Sequence, residues 1–405
     1  MNEIFSKETI LKTYLDLKNQ KFLDRKKKLP IGLDGVGSDT FEKNLGHSIN
    51  EIHRKLLPRE GKIPYTFAPL LRILRNKAEG GVRMLHIPRL RDQIVLRLIH
   101  NEITSHLQMN AIGIGLKSPY AYVREFDLHM KDKSNAFVLK SDIAQFYDSI
   151  PRNLAIANCR NYGIRTEIIQ LLENWSESLK IRNGFTQGSG EIIDFKGLPQ
   201  GISISSLLAE LYAMQIDADF NTDTGYFRYV DDIAIVCEDL VQSKAKLDKL
   251  RISVKNLGLH LSPSKTEIVK FEDGLHWLGL MHYPGKKFIN PEKIAQTFKP
   301  VASIQKACAA KLQQCSDKSQ KIAVISEMIK EVDKFISGRN KVRLRWYSLC
   351  EDDGQWRQTD KFIHGSIRSC IRKAGLDEKD LPSLPSVHAK VISYKKTRES
   401  HTNAD

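Results

Sequence analysis

The stretch Tyr229-Val230-Asp231-Asp232 lies between two short runs, Gly225-Tyr226-Phe227-Arg228 before it and Ile233-Ala234-Ile235-Val236-Cys237 after it. Runs of this composition joined by a few polar residues predict a strand, a tight turn and a second strand. The turn then carries two adjacent carboxylates, which repel one another. A cation held at the hairpin tip offsets that repulsion. Mg²⁺, which takes one or two carboxylates together with water and substrate phosphates, suits the arrangement. Asp-Asp is also a common solvated turn, so the motif alone leaves both readings open.

Length and charge narrow the choice. A chain of 405 residues buries a large core and accommodates two or three subdomains. No apolar run reaches the roughly 18 residues of a membrane span, so no membrane partner is expected. The start Met1-Asn2-Glu3-Ile4 lacks a signal-peptide pattern. The six cysteines form no Cys-x-x-Cys pair and read as reduced thiols, which together with the missing signal predicts a cytoplasmic location. The formal net charge of +15 points to a polyanionic partner, because clustered Lys and Arg hold nucleic acid through its phosphates. The plainer alternative is a solvated basic surface.

Along the chain, residues 1–63 mix helical periodicity with the loop Ile31-Gly32-Leu33-Asp34-Gly35-Val36-Gly37. Residues 64–134 form a basic segment with a Gly80-Gly81 turn, a strand-like Val82 to Ile87 and a helix from about Asp92 to Leu107. Residues 135–285 alternate strands and helices and hold every acidic motif. After Pro291 the pattern turns helical, with Ile325, Met328, Ile329, Val332 and Ile336 at helical spacing until Gly338. The end of the chain reads as polar and frayed.

Upstream of the Asp-Asp turn lies Phe137-Val138-Leu139-Lys140-Ser141-Asp142-Ile143-Ala144-Gln145-Phe146-Tyr147-Asp148. An apolar run ending in an aspartate places Asp142 at the exit of a buried strand. If that strand lies beside the hairpin, Asp142 and Asp231 converge; the alternative is that Asp142 caps the next turn. Asp148 reads as a helix cap before Pro151. Between these motifs, Gly197-Leu198-Pro199-Gln200-Gly201 sets a tight loop, and Ile204, Leu207, Leu208 and Leu211 continue as an amphipathic helix.

In order and spacing, these segments resemble the motifs of reverse transcriptases, in particular bacterial ones related to group II intron, retron and defence-associated enzymes. The resemblance runs from about Pro64 to Tyr283 and implies an α+β right-hand polymerase. Residues 64–134 would be the fingers, 135–285 a palm of antiparallel sheet and helices, and 286–405 a helical thumb and tail behind the 1–63 extension. It implies an RNA-directed DNA polymerase extending a primer with dNTPs. Asp142, Asp231 and Asp232 match the metal-site carboxylates, holding two Mg²⁺ ions about 3.5–4 Å apart. Tyr147 matches the bulky aromatic that excludes a ribonucleotide 2′-hydroxyl, and Gln200 the residue at the incoming sugar. Arg83 resembles the fingers arginine on the triphosphate, with Lys77 as a looser candidate beside it. Lys265, in Gly258-Leu259-His260-Leu261-Ser262-Pro263-Ser264-Lys265-Thr266, resembles the lysine that protonates the departing pyrophosphate. Leu275-His276-Trp277-Leu278-Gly279-Leu280 resembles the hairpin under the primer end. Buried core is the plain reading for Tyr147 and Trp277, and exposed loop lysine for Lys265 and Lys77.

The sequence shows no Val-Thr-Gly retron signature, no His/Asn-rich nuclease and no RNase H signature. Among these lineages that pattern favours a compact, defence-associated or unclassified enzyme working on a dedicated, structured non-coding RNA, with oligomerisation open. Lys341, Arg343, Arg345, Arg368 and Arg372 are expected on duplex phosphates. Two other readings compete: template-independent or protein-primed DNA synthesis by the same palm, and a non-catalytic RNA-binding scaffold. The gate assignment has a direct test: Tyr147→Ala should gain ribonucleotide incorporation in a primer-extension assay supplied with rNTPs, and a variant that gains none removes Tyr147 from that role.

Overall fold

The computed structural model describes residues 4–20, 29–76, 82–110, 117–183, 192–338, 347–350 and 354–402. Contacts divide the chain into two compact units. The first comprises Met1–Lys117, Lys140–Ile235 and Lys244–Glu267; the second comprises Ser118–Leu139, Val236–Ser243 and Ile268–Asp405. The strands among the described residues are β1 (Leu70–Asn76), β2 (Val82–Ile87), β3 (Phe137–Asp142), β4 (Lys180–Asn183), β5 (Ile192–Asp194), β6 (Tyr226–Tyr229), β7 (Asp232–Cys237), β8 (Glu267–Lys270), β9 (Leu275–Trp277), β10 (Leu280–Tyr283) and β11 (Lys286–Ile289). They form sheets of order β2-β1-β4-β5, β6-β7-β3-β8 and β11-β10-β9. With helices between and after them, the fold is α+β, as expected.

The order β6-β7-β3-β8 puts β7 and β3 inside their sheet, and that position accounts for their composition. Ile233, Ala234 and Ile235 of β7 and Val138 and Leu139 of β3 are fully buried, as strands covered on both faces require. Burying each isoleucine or leucine contributes about 2 kcal/mol. That apolar anchoring fixes where the carboxylates emerge. Asp142 is the last residue of β3, and Asp231 directly precedes β7.

In the first unit, β1 and β2 pair antiparallel with Leu74 opposite Met84 and Arg75 opposite Arg83, and the Gly80-Gly81 turn expected between them lies outside the described residues. The helix expected from about Asp92 runs from Leu90 to Met109, starting as soon as Pro88 and Arg89 release the chain from β2. The helix Ser203–Asp219, expected to be amphipathic, is instead buried on nearly every side, Glu210 included. The Asp148 cap does not form. Asp148 lies within the short helix Phe146–Ser149, and Pro151 stands at the N-cap of Arg152–Asn161 without a side-chain cap bond.

In the second unit, the helix Lys318–Ser337 buries Ile325, Met328, Ile329, Val332 and Ile336, the residues its periodicity singled out. Asp317 caps its start by accepting the Gln320 N–H at 2.8 Å, and Gly338 ends it at φ +63°, a conformation that costs glycine little. Trp356 and Tyr347 pack as core, their ring centroids 4.6 Å apart. Trp277 is buried against Phe126 at 5.1 Å. Its hairpin turns through Leu278 and Gly279, both at positive φ, a two-residue loop matching strand twist. The polar end of the chain is helical over Val387–Thr402 rather than frayed. Lys341, Arg343, Arg345 and Lys77 lie outside the described residues.

One buried polar contact anchors the N-terminal part of the first unit. Asp92, 1% exposed, accepts the Tyr65 hydroxyl at 2.7 Å and the Ala68 N–H at 3.1 Å. Removing the carboxylate strands both donors, each at about 1–3 kcal/mol. Asp92→Ala should therefore lower the unfolding free energy by about 3 kcal/mol, read from the denaturant midpoint, while Asp92→Asn keeps an acceptor and loses less.

Candidate active site

Backbone bonds hold the frame of the site together. The Ile143 N–H donates to the Asp231 carbonyl at 3.0 Å, which clamps the exit of β3 to the hairpin tip. The Ser262 N–H donates to the Asp142 carbonyl at 2.7 Å, and the Ala144 N–H to the His260 carbonyl at 2.8 Å. The Gly258–Thr266 loop is thereby sewn to the same strand end. On the other side, the Leu198 N–H donates to the Tyr147 carbonyl at 2.7 Å, and the His86 N–H to the Gln200 carbonyl at 2.8 Å. The loop carrying Gln200 is thus held between Tyr147 and β2.

Glycine makes this close approach possible. A Cβ on Gly197 would stand 2.4 Å from the Asp148 carbonyl oxygen, a hard overlap with backbone. Gly201, at φ +95°, lies against the His86 backbone.

The result is a cleft of about 660 Å³ whose lining includes Arg83, Asp142, Tyr147, Gln200, Asp231 and Lys265. Six of the eight residues singled out in the sequence therefore share one cavity. Asp232 begins β7 and lies half-buried behind it. Tyr147 is half-buried, and its hydroxyl donates to Ser206 Oγ at 3.3 Å.

Two of the lining residues hold strained backbone. Gln145 and Val230 have φ of +47° and +61° without being glycine. The left-handed region costs a non-glycine residue about 1–3 kcal/mol, most for a β-branched one. Val230 opens a two-residue hairpin loop in which Tyr229 faces Asp232. Gln145 turns the chain into Phe146–Ser149 and so presents Tyr147.

Electrostatics mark the same place. Burial, reinforced by the charge of Asp142, raises the Asp231 pKa above the ordinary carboxylate range. Burial pushes Asp232 up to about 7, with Asp231 and Asp142 adding to the shift and Lys140 opposing it. Lys265 donates to Asp142 Oδ2 at 2.8 Å, and this bond raises its own pKa, so it is an ammonium at neutral pH. Among the described residues no three His, Cys, Asp or Glu side chains form a ready-made cation cage. Asp142, one oxygen of which accepts from Lys265, and Asp231 instead line the cleft as hard oxygen donors, the donor type that a divalent cation completed by phosphate and water fits.

A family model described as reverse transcriptase (RNA-dependent DNA polymerase) matches residues 74–282, just over half of the chain. The chain belongs to this family. As a reverse transcriptase it falls in the nucleotidyltransferase class of RNA-directed DNA polymerases expected from its motifs, and such domains generally use divalent metal ions. It is similar to Protein YkfC of Escherichia coli, 22% identical over 295 residues, covering 61% of this chain and 74% of that one. An uncharacterized 91 kDa protein in the cob intron of Schizosaccharomyces pombe is 27% identical over 237 residues, covering 57% of this chain and 27% of its own. Among solved structures, the telomerase of Candida albicans in complex with a telomeric RNA fragment overlaps 84% of this chain and 64% of its own, with 12% identity and a TM-score of 0.46.

Motif reading missed Arg228, Glu210 and Asp217, an ion-pair cluster in which Arg228 and Glu210 are buried and Asp217 is half-buried. The available signal was Glu210 itself, an acid inside the apolar run Leu207-Leu208-Ala209-Glu210-Leu211, where a buried charge requires a partner.

His86 links acidity to this site. It is 2% exposed, and burial, with the charge of Arg72 second, lowers its pKa to about 4. A folded-state pKa below the unfolded value of about 6.5 means the folded protein resists protonation. Its contribution to stability is complete above about pH 6.5 and is lost as pH falls toward about 4, at up to ~1.4 kcal/mol per pH unit. His86→Leu should remove this contribution and shift the pH slope of unfolding stability in that window toward the opposite slope set by the raised pKa of Asp232; an unchanged slope would show that His86 does not contribute to it.

Proposed function

We propose that this reverse transcriptase extends a primer 3′-hydroxyl with dNTPs on an RNA template, using Asp142, Asp231 and Asp232 with two Mg²⁺ ions. The convergence of Asp142 and Asp231 on one cleft with Arg83, Gln200 and Tyr147 carries the reading. Bound metal supplies Lewis-acid stabilisation of the transferring phosphoryl group. The chain's own residues do the rest. Arg83, exposed on β2, presents a planar fork to the triphosphate oxygens. Gln200, fixed by the His86 bond, meets the incoming sugar. Tyr147, held by Ser206, closes the space a 2′-hydroxyl needs. As the 3′-oxygen, its own proton passing to water, bonds the α-phosphorus, the bond to pyrophosphate breaks, and Lys265 gives its proton to the leaving oxygen. Its raised pKa keeps that proton available at neutral pH.

In this reading residues 64–134 act as fingers, 135–285 as palm and 286–405 as thumb, behind the 1–63 extension. Arg372 remains a candidate phosphate contact, whereas Arg368 is paired to Glu378 at 3.0 Å. A dedicated structured non-coding RNA template, a role in antiphage defence and a cytoplasmic location rest on the motif resemblance and the +15 charge. Among the described residues no helix is long and apolar enough to cross a membrane.

The protein isolated with its bound nucleic acid, supplied with Mg²⁺ and labelled dNTPs, tests this directly. DNA complementary to a bound RNA is expected, and Asp231→Ala with Asp232→Ala should reduce it about 10³-fold or more, since metal stabilisation supplies several kcal/mol. Product unrelated to any RNA present would move the chain to untemplated synthesis. RNA retained with no synthesis by either form would leave it a scaffold.

A further inference from the structure

Arg228 lies in β6, two residues before Val230, and is 4% exposed. Its guanidinium is shared among three acceptor groups. Nη1 and Nη2 donate to Glu210 Oε2 and Oε1 at 3.0 and 2.9 Å, and Nε donates to Asp217 Oδ1 at 2.7 Å. Nη1 also donates to the carbonyl oxygen of Val230 at 3.0 Å. Asp217 is held in turn by the Tyr226 hydroxyl at 2.8 Å. Glu210 and Asp217 stand two helical turns apart on Ser203–Asp219, on the face that also carries Ser206.

An ion pair serving only the core has no need of the Val230 carbonyl. That bond reaches the residue whose left-handed backbone separates Tyr229 from Asp231, and it comes from a side chain that two carboxylates prevent from moving. A planar fork meets both carboxylates and the carbonyl together, which a single ammonium does not. The same helix face holds Ser206 against Tyr147, so one rigid element supports the carboxylate turn and the nucleotide side of the cleft.

We propose that Arg228, oriented by Glu210 and Asp217, is a positioning residue that locks Val230 in its left-handed turn and thereby keeps the Asp231 carboxylate aimed at Asp142. This role rests on the polymerase reading of those two aspartates. Substrate binding by Arg83 and Gln200 does not involve the turn, so the effect falls on the chemical step and on cation affinity.

Arg228→Lys and Glu210→Gln are compared with the unaltered protein in RNA-templated primer extension, in Mn²⁺ binding followed by electron paramagnetic resonance, and in amide exchange across residues 226–237. The expected result is a kcat about tenfold lower or more, a dNTP KM within about twofold, weaker Mn²⁺ binding and faster exchange at Val230 to Asp232. Val230→Gly, which removes the left-handed strain, should restore part of the kcat and of the Mn²⁺ affinity when added to either variant. If Arg228→Lys does not fold, Glu210→Gln carries the same comparison with the guanidinium in place. A kcat that falls only with the folded fraction, at unchanged Mn²⁺ affinity and with no recovery from Val230→Gly, overturns the positioning role alone. An inactive unaltered protein whose Mn²⁺ binding ignores Asp231→Ala overturns the polymerase reading and this role with it.

Discussion

A single backbone hydrogen bond, from the Ile143 N–H to the Asp231 carbonyl at 3.0 Å, joins the end of β3 to the tip of the β6–β7 hairpin. Both strands are anchored below that point by fully buried residues, Val138 and Leu139 on one and Ile233 and Ile235 on the other. Neither anchor can shift without exposing apolar surface, so the carboxylates above them inherit a fixed separation. The loops bearing Lys265 and Gln200 attach to this frame by further backbone bonds. The cleft is therefore assembled by the most rigid groups in the chain, and its side chains arrive already placed.

That frame concentrates negative charge in a protein that is otherwise strongly positive, with a net charge of +15. The two facts serve different distances. Overall positive charge draws a polyanion from solution, whereas the local excess of carboxylate, seen in the raised pKa values of Asp231 and Asp232, leaves the centre short of a cation. Lys265 meets part of that shortage by pairing with Asp142. The carboxylate and the ammonium are thus coupled, because whatever satisfies Asp142 changes what Lys265 is free to do.

Backbone strain follows the same map. Among the described residues, two of the four non-glycine residues at positive φ, Gln145 and Val230, line the cleft, while Glu60 and Leu278 lie elsewhere. The burial of neighbouring strands and the Arg228 bond to the Val230 carbonyl sustain a conformation that Val230 would not adopt in an isolated hairpin. Gly197 marks the opposite strategy, in which the Gln200 loop meets the Asp148 backbone only because no side chain intervenes.

Local pattern in the sequence determined the elements themselves. The β6–β7 hairpin, the apolar β3 ending in Asp142 and the helix Lys318–Ser337 with its five buried positions were all legible, because strand and helix periods repeat over neighbouring residues. Motif order added the grouping of Asp142, Tyr147, Gln200 and Asp231, and Arg83 and Lys265 joined the same cleft. Local pattern failed at Asp148, which sits within a short helix rather than capping one, and at Ser203–Asp219, whose amphipathic pattern is buried nearly all round. Only the tertiary structure decided partners. Lys265 and Asp142 are 123 residues apart in the chain, and Glu210 and Asp217 meet Arg228 across a helix and a strand. A charge in a sequence states that a partner is needed, whereas packing of distant segments chooses which one, and that choice sets the Val230 turn on which the site is built.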